Sequence, residues 1–385
     1  MKKLIIAVSQ LRVGGVAKAL IELLRNIENK YDITLICFDH SGAFFDDIPK
    51  SVKVVKDNPY LSLTERAAGS LSEYGKKYKI IRQVCSLWTK IFNKKLPAKY
   101  ICRKVGQIEG EYDVAIAFGH PQQKHLFCNL TGEVILNCVS AKKKVIVIHC
   151  DYELYGGHCK CNDKLLLQFD KIAAVSKSVG EAVIRCIPQA KDKICTLRNF
   201  HDFETIQEMS LQAPVEYPHK HTIITVARLS EEKGLTQSIG IVKALKEKDY
   251  DIEWHIVGDG PLKGTLAQLI NENNAGDYIV LEGEQTNPYR YIKKADYLLV
   301  PSLHEAAPMV FDEAACLGVP IVSTETLSAK EMVEGRELGY VCEADQLLNT
   351  LKIALDNQED MKQKVTSHRV NNEVAFQDIE DICDD

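Results

Sequence analysis

Glu305 and Glu313 stand eight positions apart in Ser302-Leu-His-Glu305-Ala-Ala-Pro-Met-Val-Phe-Asp-Glu313-Ala-Ala-Cys-Leu-Gly318-Val-Pro320. The apolar run Tyr297–Pro301 leads into the first, and a helix-like stretch ending in Gly-Val-Pro carries the second. One carboxylate is thus expected at the carboxyl end of a strand and the other on the following helix, where open α/β sheets bind ligands. Ionised carboxylates accept hydrogen bonds and donate none, so the pair suits a ligand rich in hydroxyls, such as a sugar or a ribose.

Cations lie upstream. In Ile224-Thr-Val-Ala-Arg228-Leu-Ser-Glu-Glu-Lys233-Gly234 a strand ends, Arg228 and Lys233 follow, and a glycine opens the next helix. A guanidinium fork and a mobile ammonium there suit a diphosphate, although such residues in loops are more often simply solvated. Val257-Gly258-Asp259-Gly260-Pro261 reads as a strand-to-helix turn with Pro261 at the first helical position, either structural or in contact with a nucleotide. Gly14-Gly15 follows the first strand and precedes a helix, so its backbone can approach a phosphate, but Leu11, Val13 and Ala17 break the G-x-G-x-x-G fingerprint. His149 ends the run Val145–Ile148, and a functional role at that strand end weighs evenly against a structural one; Asp151 is a weaker candidate. Asp249-Tyr-Asp251 is formally D-x-D but precedes its strand, so it reads as a loop, and no metal site is expected.

Short apolar runs supply the elements that must position these groups. Strands are expected at Leu4–Ser9, Ile33–Phe38, Val114–Phe118, Val145–His149, Lys171–Ser176, Thr222–Val226, Ile252–Val257, Tyr278–Leu281, Tyr297–Val300 and Pro320–Ser323. Helical patterns separate many of them, including Val16–Asn26, Ser178–Ile187, Leu235–Lys248, Pro261–Asn273 and Phe311–Leu317. Unalternated runs alternating with helices imply parallel, doubly wound sheets covered on both faces. The polar stretch Asn199–His221, with Pro214 and Pro218, reads as a linker and hinge. The expected organisation is an acceptor-binding domain over 1–200, a donor-binding domain over 201–370, and a closing helix or tail over 371–385.

A chain of 385 residues suits about two domains. With 45% hydrophobic and 26% charged residues and a net charge of -5, it is an ordinary globular composition without the basic footprint of a nucleic-acid binder. No apolar run approaches the roughly 20 residues needed to span a bilayer, and Met1–Gln10 reads as a first strand, not a leader. The 13 cysteines are odd in number and irregularly spaced, so they are expected as reduced thiols in a cytoplasmic protein. His149-Cys150 with His158-Cys159-Lys160-Cys161 lacks the usual zinc spacing.

One segment departs from this composition. Gly75–Val105 contains no acidic residue and ten basic ones, with Ile80, Ile81, Val84, Leu87, Trp88, Ile91 and Phe92 at helical spacing. It reads equally as a basic amphipathic helix on a membrane surface, each cation adding about 1 kcal/mol near an anionic leaflet, or as a solvated face over a buried stripe.

The set resembles the retaining glycosyltransferases of family 4, with the GT-B fold: two Rossmann-like doubly wound parallel-sheet domains facing a cleft. The resemblance rests on Arg228 and Lys233, the Gly258-Asp-Gly-Pro-Leu turn, Ala295-Asp296, the Glu305/Glu313 pair, Gly318-Val-Pro320, Thr324 and Lys330-Glu331-Met-Val. Gly14-Gly15-Val, His149, Asp170–Ser176 and Asn199 extend it more loosely to the first half. The resemblance implies that Glu313 holds the ribose, that Glu305 meets the donor sugar, and that the backbone of Ala307, Pro308, Met309 and Val310 faces the diphosphate. Arg228 and Lys233 would neutralise the leaving group without a metal or other cofactor, Gly14 and Gly15 would lie by phosphate and acceptor, and His149 near the sugar. Where the family often has Gly-Phe-Gly after the first glutamate, this chain has Ala306-Ala307-Pro308-Met309, and Pro308 has no N–H to offer.

The expected activity is transfer from a nucleotide sugar, UDP-linked by preference, to a glycan or polyprenyl-linked saccharide in polysaccharide or capsule assembly. The enzyme would be cytoplasmic, on the inner face of the membrane if the basic segment binds there. An epimerase or phosphorylase on the same fold, or a non-catalytic sugar-nucleotide-binding subunit, are the alternatives.

Overall fold

The computed structural model describes residues 1–65, 70–154 and 157–384. The chain forms two compact units, Met1–Phe200 with Asn372–Asp385, and His201–Asn371. Each is built on a parallel sheet.

The first unit contains β1 (Lys3–Gln10), β2 (Asp32–Asp39), β3 (Lys53–Val54), β4 (Glu111–Ala117), β5 (Ser140–Ile148), β6 (Lys171–Ala174) and β7 (Ile194–Thr196), ordered β3-β2-β1-β4-β5-β6-β7. The second contains β8 (His221–Val226), β9 (Ile252–Val257), β10 (Ile279–Gly283), β11 (Tyr297–Val300), β12 (Ile321–Thr324) and β13 (Gly339–Cys342), ordered β10-β9-β8-β11-β12-β13. All these pairings are parallel. Residues 4–8 are at most 1% exposed, as a central strand covered on both faces requires.

In each sheet the strand order reverses once, between β1 and β4 and between β8 and β11. Loops leaving the carboxyl ends of such a strand pair diverge and leave a crevice. Gly14-Gly15 follows β1, Arg228 and Lys233 follow β8, and Glu305 follows β11. The positions with chemical potential are therefore placed by topology.

Three expectations need correction. The interval 199–221 is not a bare linker: Asp202 caps a helix Phe203–Ser210 through the Thr205 N–H at 3.0 Å, and Ile206 is buried in the second core. The basic segment is two helices, Lys76–Ile91 and Lys95–Val105. Phe92 leaves helical geometry (φ −115°, ψ −85°), and Lys94 turns inward to meet Glu133 at 3.2 Å. Pro261 is not the first helical residue, because that helix begins at Lys263; the Leu262 N–H is taken instead by the Leu229 carbonyl at 3.0 Å.

Residues 372–385 join the first unit, with a helix Glu373–Asp384 that buries Ile379 and Ile382. Arg198 pairs with Asp378 at 2.8 Å, and Phe200 meets Phe376 edge-on at 5.0 Å.

Candidate donor site

The second unit gathers four segments at the carboxyl ends of β8, β9, β11 and β12. After β8 the chain makes a short turn, Glu231–Lys233, then Gly234 in the left-handed region at φ +64°. A Cβ at Gly234 would stand 1.9 Å from the Pro301 carbonyl oxygen, so only glycine lets the β8 loop lie against the β11 loop. Leu303 N–H donates to the Glu232 carbonyl at 2.8 Å and locks the two loops together.

That contact brings the predicted charges into register. Lys233 Nζ lies 2.5 Å from Glu305 Oε1, and Ser302 Oγ donates to the same oxygen at 2.9 Å. Both charged side chains are only slightly exposed, which strengthens the pair relative to one in water. Thr324, at the end of β12, donates to the Ser302 carbonyl at 2.5 Å and fixes the base of the Glu305 loop. Arg228 is exposed at the rim of the same loop.

The β9 turn packs on this frame. Gly258 sits at φ +144°, where a Cβ would come 1.9 Å from the Ala227 carbonyl oxygen. Leu229 N–H donates to the Asp259 carbonyl at 3.0 Å. Gly258 therefore has a definite structural task beside the Arg228 loop.

Pro308 precedes the helix Met309–Cys316 with extended backbone (φ −64°, ψ 119°), a conformation its ring favours. Phe311 N–H donates to the Pro308 carbonyl at 3.2 Å. The helix's N-terminal N–H groups, those of Met309 and Val310 included, have no partner one turn back within the helix and form an anion-attracting end. Glu313 follows one turn later and is buried. Its neighbour Asp312 is engaged by Arg336 at 2.6 Å and His201 at 3.4 Å. Burial alone would raise the Asp312 pKa, but His201 and Arg336 outweigh it and hold the group ionised well below the usual carboxylate range.

Gly14, Gly15 and His149 belong to the first unit. Gly15 opens the helix Gly15–Ile27, with no neighbour near its missing Cβ. His149 stacks at 4.5 Å on Phe118 and lines a small cavity with Ala19, Leu23 and Asn199. Its N–H donates to His120 Nδ1 at 3.4 Å, while its ring Nε2 is shielded from solvent without a hydrogen-bond partner. Burial, then the neighbouring His120, pushes its pKa down to about 3, so the ring is neutral at physiological pH.

The remaining motifs have structural tasks. Asp251 of the D-x-D sequence precedes β9 and is held by His219 at 2.7 Å. Cys159 and Cys161 approach to 3.1 Å, but among the described residues no group of three or more His, Cys, Asp or Glu is arranged around a metal position. Sequence reasoning gave Ser302, Glu232 and Gly234 no role at the site. Only the glycine's place after Lys233 was a usable signal, because the other two act through loop geometry.

Residues 207–368 match the family model described as glycosyl transferases group 1. The match spans most of the second unit, His201–Asn371. The amylovoran biosynthesis glycosyltransferase AmsK of Erwinia amylovora is 33% identical over 165 residues, 40% of each chain. An N-acetylgalactosaminyltransferase of Campylobacter jejuni, named for a diphospho-undecaprenol acceptor, is 28% identical over 49% of this chain and 52% of its own. Alignment with the first two curated relatives spans 34% and 40% of their lengths. Among solved structures, HepE of Anabaena in complex with UDP aligns over 99% of both chains with TM-score 0.65 and 17% identity. The fold is accordingly GT-B, a Rossmann-like sheet in each unit.

Proposed function

We propose that this protein is a retaining glycosyltransferase of polysaccharide biosynthesis that moves a sugar from a nucleoside diphosphate, UDP by preference, to a hydroxyl of a lipid-linked saccharide. The observation that carries the reading is the Lys233–Glu305 pair on loops from the switch-point strands β8 and β11, with the buried Glu313 on the helix that follows the β11 loop. A diphosphate needs a cation, and a sugar and a ribose need acceptors; the domain supplies the cation on the β8 loop, one carboxylate on the β11 loop and the other on the helix that follows. The names of AmsK and of the Campylobacter enzyme favour a glycan or polyprenyl-linked acceptor. UDP bound to HepE favours the uridine series.

In this reading Glu313 accepts from the ribose hydroxyls and Glu305 from the donor sugar. The ammonium of Lys233, held in place by Glu305, lies against the diphosphate, and Arg228 closes over it from the rim. The first-turn N–H groups of Met309 and Val310, with that of Ala307, replace the donor that Pro308 lacks. As the anomeric C–O bond to the diphosphate breaks, negative charge grows on the leaving oxygen, and these fixed cations and dipoles stabilise it. The acceptor hydroxyl attacks from the face the diphosphate leaves, and its proton passes to a diphosphate oxygen. Nucleoside diphosphate and a glycoside of unchanged anomeric configuration result.

Incubating the protein with UDP-sugars and lipid-linked saccharide from a polysaccharide-producing membrane, with and without EDTA, tests this reading. Release of UDP with an α-linked product from an α-donor is expected in both conditions. An inverted product would refute retention, and loss of activity in EDTA that added divalent metal restores would refute the metal-free site.

A further inference from the structure

The helix Lys76–Ile91 packs on its own unit with a narrow face, through Cys85 and Thr89. Its apolar stripe points the other way. Ile80 is 59% exposed, Val84 61%, Leu87 61%, Trp88 39% and Ile91 62%, and Phe92 continues the strip at 51%. At 100° per residue these side chains fall in one sector of the helix, with Lys76, Lys79 and Lys90 along one flank. A contiguous exposed apolar strip of this kind marks an interaction surface.

Charge selects the occupant. The chain carries −5 overall and the segment 75–105 contributes +10, so the remainder carries −15. The positive charge is concentrated beside the apolar strip. A second copy of the chain would set this face against itself, cation against cation. An anionic lipid surface offers phosphates to the lysines and acyl chains to the strip. The helix is 16 residues, roughly 24 Å, and no helix among the described residues is long and apolar enough to cross a membrane. An apolar face with cations at its edge, on a helix of this length, lies in the plane of the interface.

We propose that the outward strip Ile80–Val84–Leu87–Trp88–Ile91 inserts into the headgroup region of an anionic bilayer, with Lys76, Lys79 and Lys90 on lipid phosphates. This deepens the function proposed above by naming the element that would bring the protein to a lipid-linked acceptor, and rests on that reading only for the acceptor. Vesicle binding needs no sugar nucleotide, so failure of the donor site and failure of this surface give separate results.

The chain has two tryptophans, Trp88 on the strip and Trp254, which is fully buried. Trp88 therefore reports insertion. With phosphatidylcholine vesicles containing phosphatidylglycerol, the full chain is expected to co-sediment, shift its emission to the blue and gain protection from acrylamide. Pure phosphatidylcholine is expected to do none of these. Leu87→Glu with Ile91→Glu is expected to weaken binding at least tenfold at an unchanged melting temperature, because both side chains face solvent. Lys79→Gln with Lys90→Gln is expected to weaken it severalfold and flatten its salt dependence. Full binding by the Leu87/Ile91 variant, or equal binding to neutral vesicles, would overturn insertion at an anionic surface. A vesicle-free dimer dissociated by the Leu87/Ile91 variant would overturn it in favour of self-association, and no binding to either vesicle would overturn it outright.

Discussion

Lys233 and Glu305 hold each other, so substitution at either disturbs both. Lys233→Ala is expected to lower kcat/KM by about a hundredfold or more, the usual order for removing a group that stabilises developing charge. Lys233→Arg, which keeps the charge but changes its geometry, should recover only part of the loss; steady-state kinetics on both variants would check this. His149 gives a prediction in pH. Its pKa falls from about 6.5 in the unfolded chain to about 3 in the folded one, first through burial. The unfolded state therefore binds the extra proton between those values. The stability His149 contributes is complete above about pH 6.5 and is lost as pH falls toward 3, at up to about 1.4 kcal/mol per pH unit. Denaturant titrations of wild type and His149→Phe should show a shallower decline for the variant below pH 6.5; parallel curves would mean that the ring is protonated in the fold. The places of Glu305 and Glu313, at a strand end and on the following helix, were legible because an apolar run leads into the first and Gly-Val-Pro closes the helix that carries the second. Ser302 was not, because its part is one hydrogen bond to Glu305, set by a loop path that no residue spacing encodes.

At the scale of elements, the β8 and β11 loops meet where Gly234 allows it. Gly234→Ala would place a methyl inside van der Waals distance of the Pro301 carbonyl and strain the left-handed backbone, at a cost of at least about 1–3 kcal/mol. A lower melting temperature for the second unit is expected, with weaker donor binding; an unchanged melt would show that the two loops can part at little cost. The sequence yielded the central strands readily, since unalternated runs such as Leu4–Val8 and Tyr297–Val300 have no other stable use. It missed the short edge strands β3, which is exposed, and β7 and β13, which are half-buried. It joined the two basic helices because Lys94 looks like any surface lysine, whereas its burial against Glu133 is a tertiary fact. The helix Phe203–Ser210 was hidden by the polar, proline-containing composition around it, although Asp202 with Thr205 was a readable cap.

At the scale of the molecule, the chain returns after its second unit to complete its first. Removing residues 372–385 deletes Asp378 from Arg198 and uncovers the surface beneath Ile379 and Ile382. Truncation after Asn371 is expected to lower the melting transition of the first unit by several degrees and leave nucleotide binding by the second intact. Calorimetry with and without nucleotide separates the two, since a ligand that binds only the folded second unit raises only its transition. Most direct is isothermal titration of the full chain with UDP, GDP and ADP in EDTA, beside Glu313→Ala. The proposed donor site requires metal-free binding of one nucleotide series, UDP by preference, weakened about tenfold or more in the variant, as expected when hydrogen bonds to a charged group are lost. Unchanged affinity in Glu313→Ala, or no binding of any nucleotide until a divalent metal is added, would contradict it.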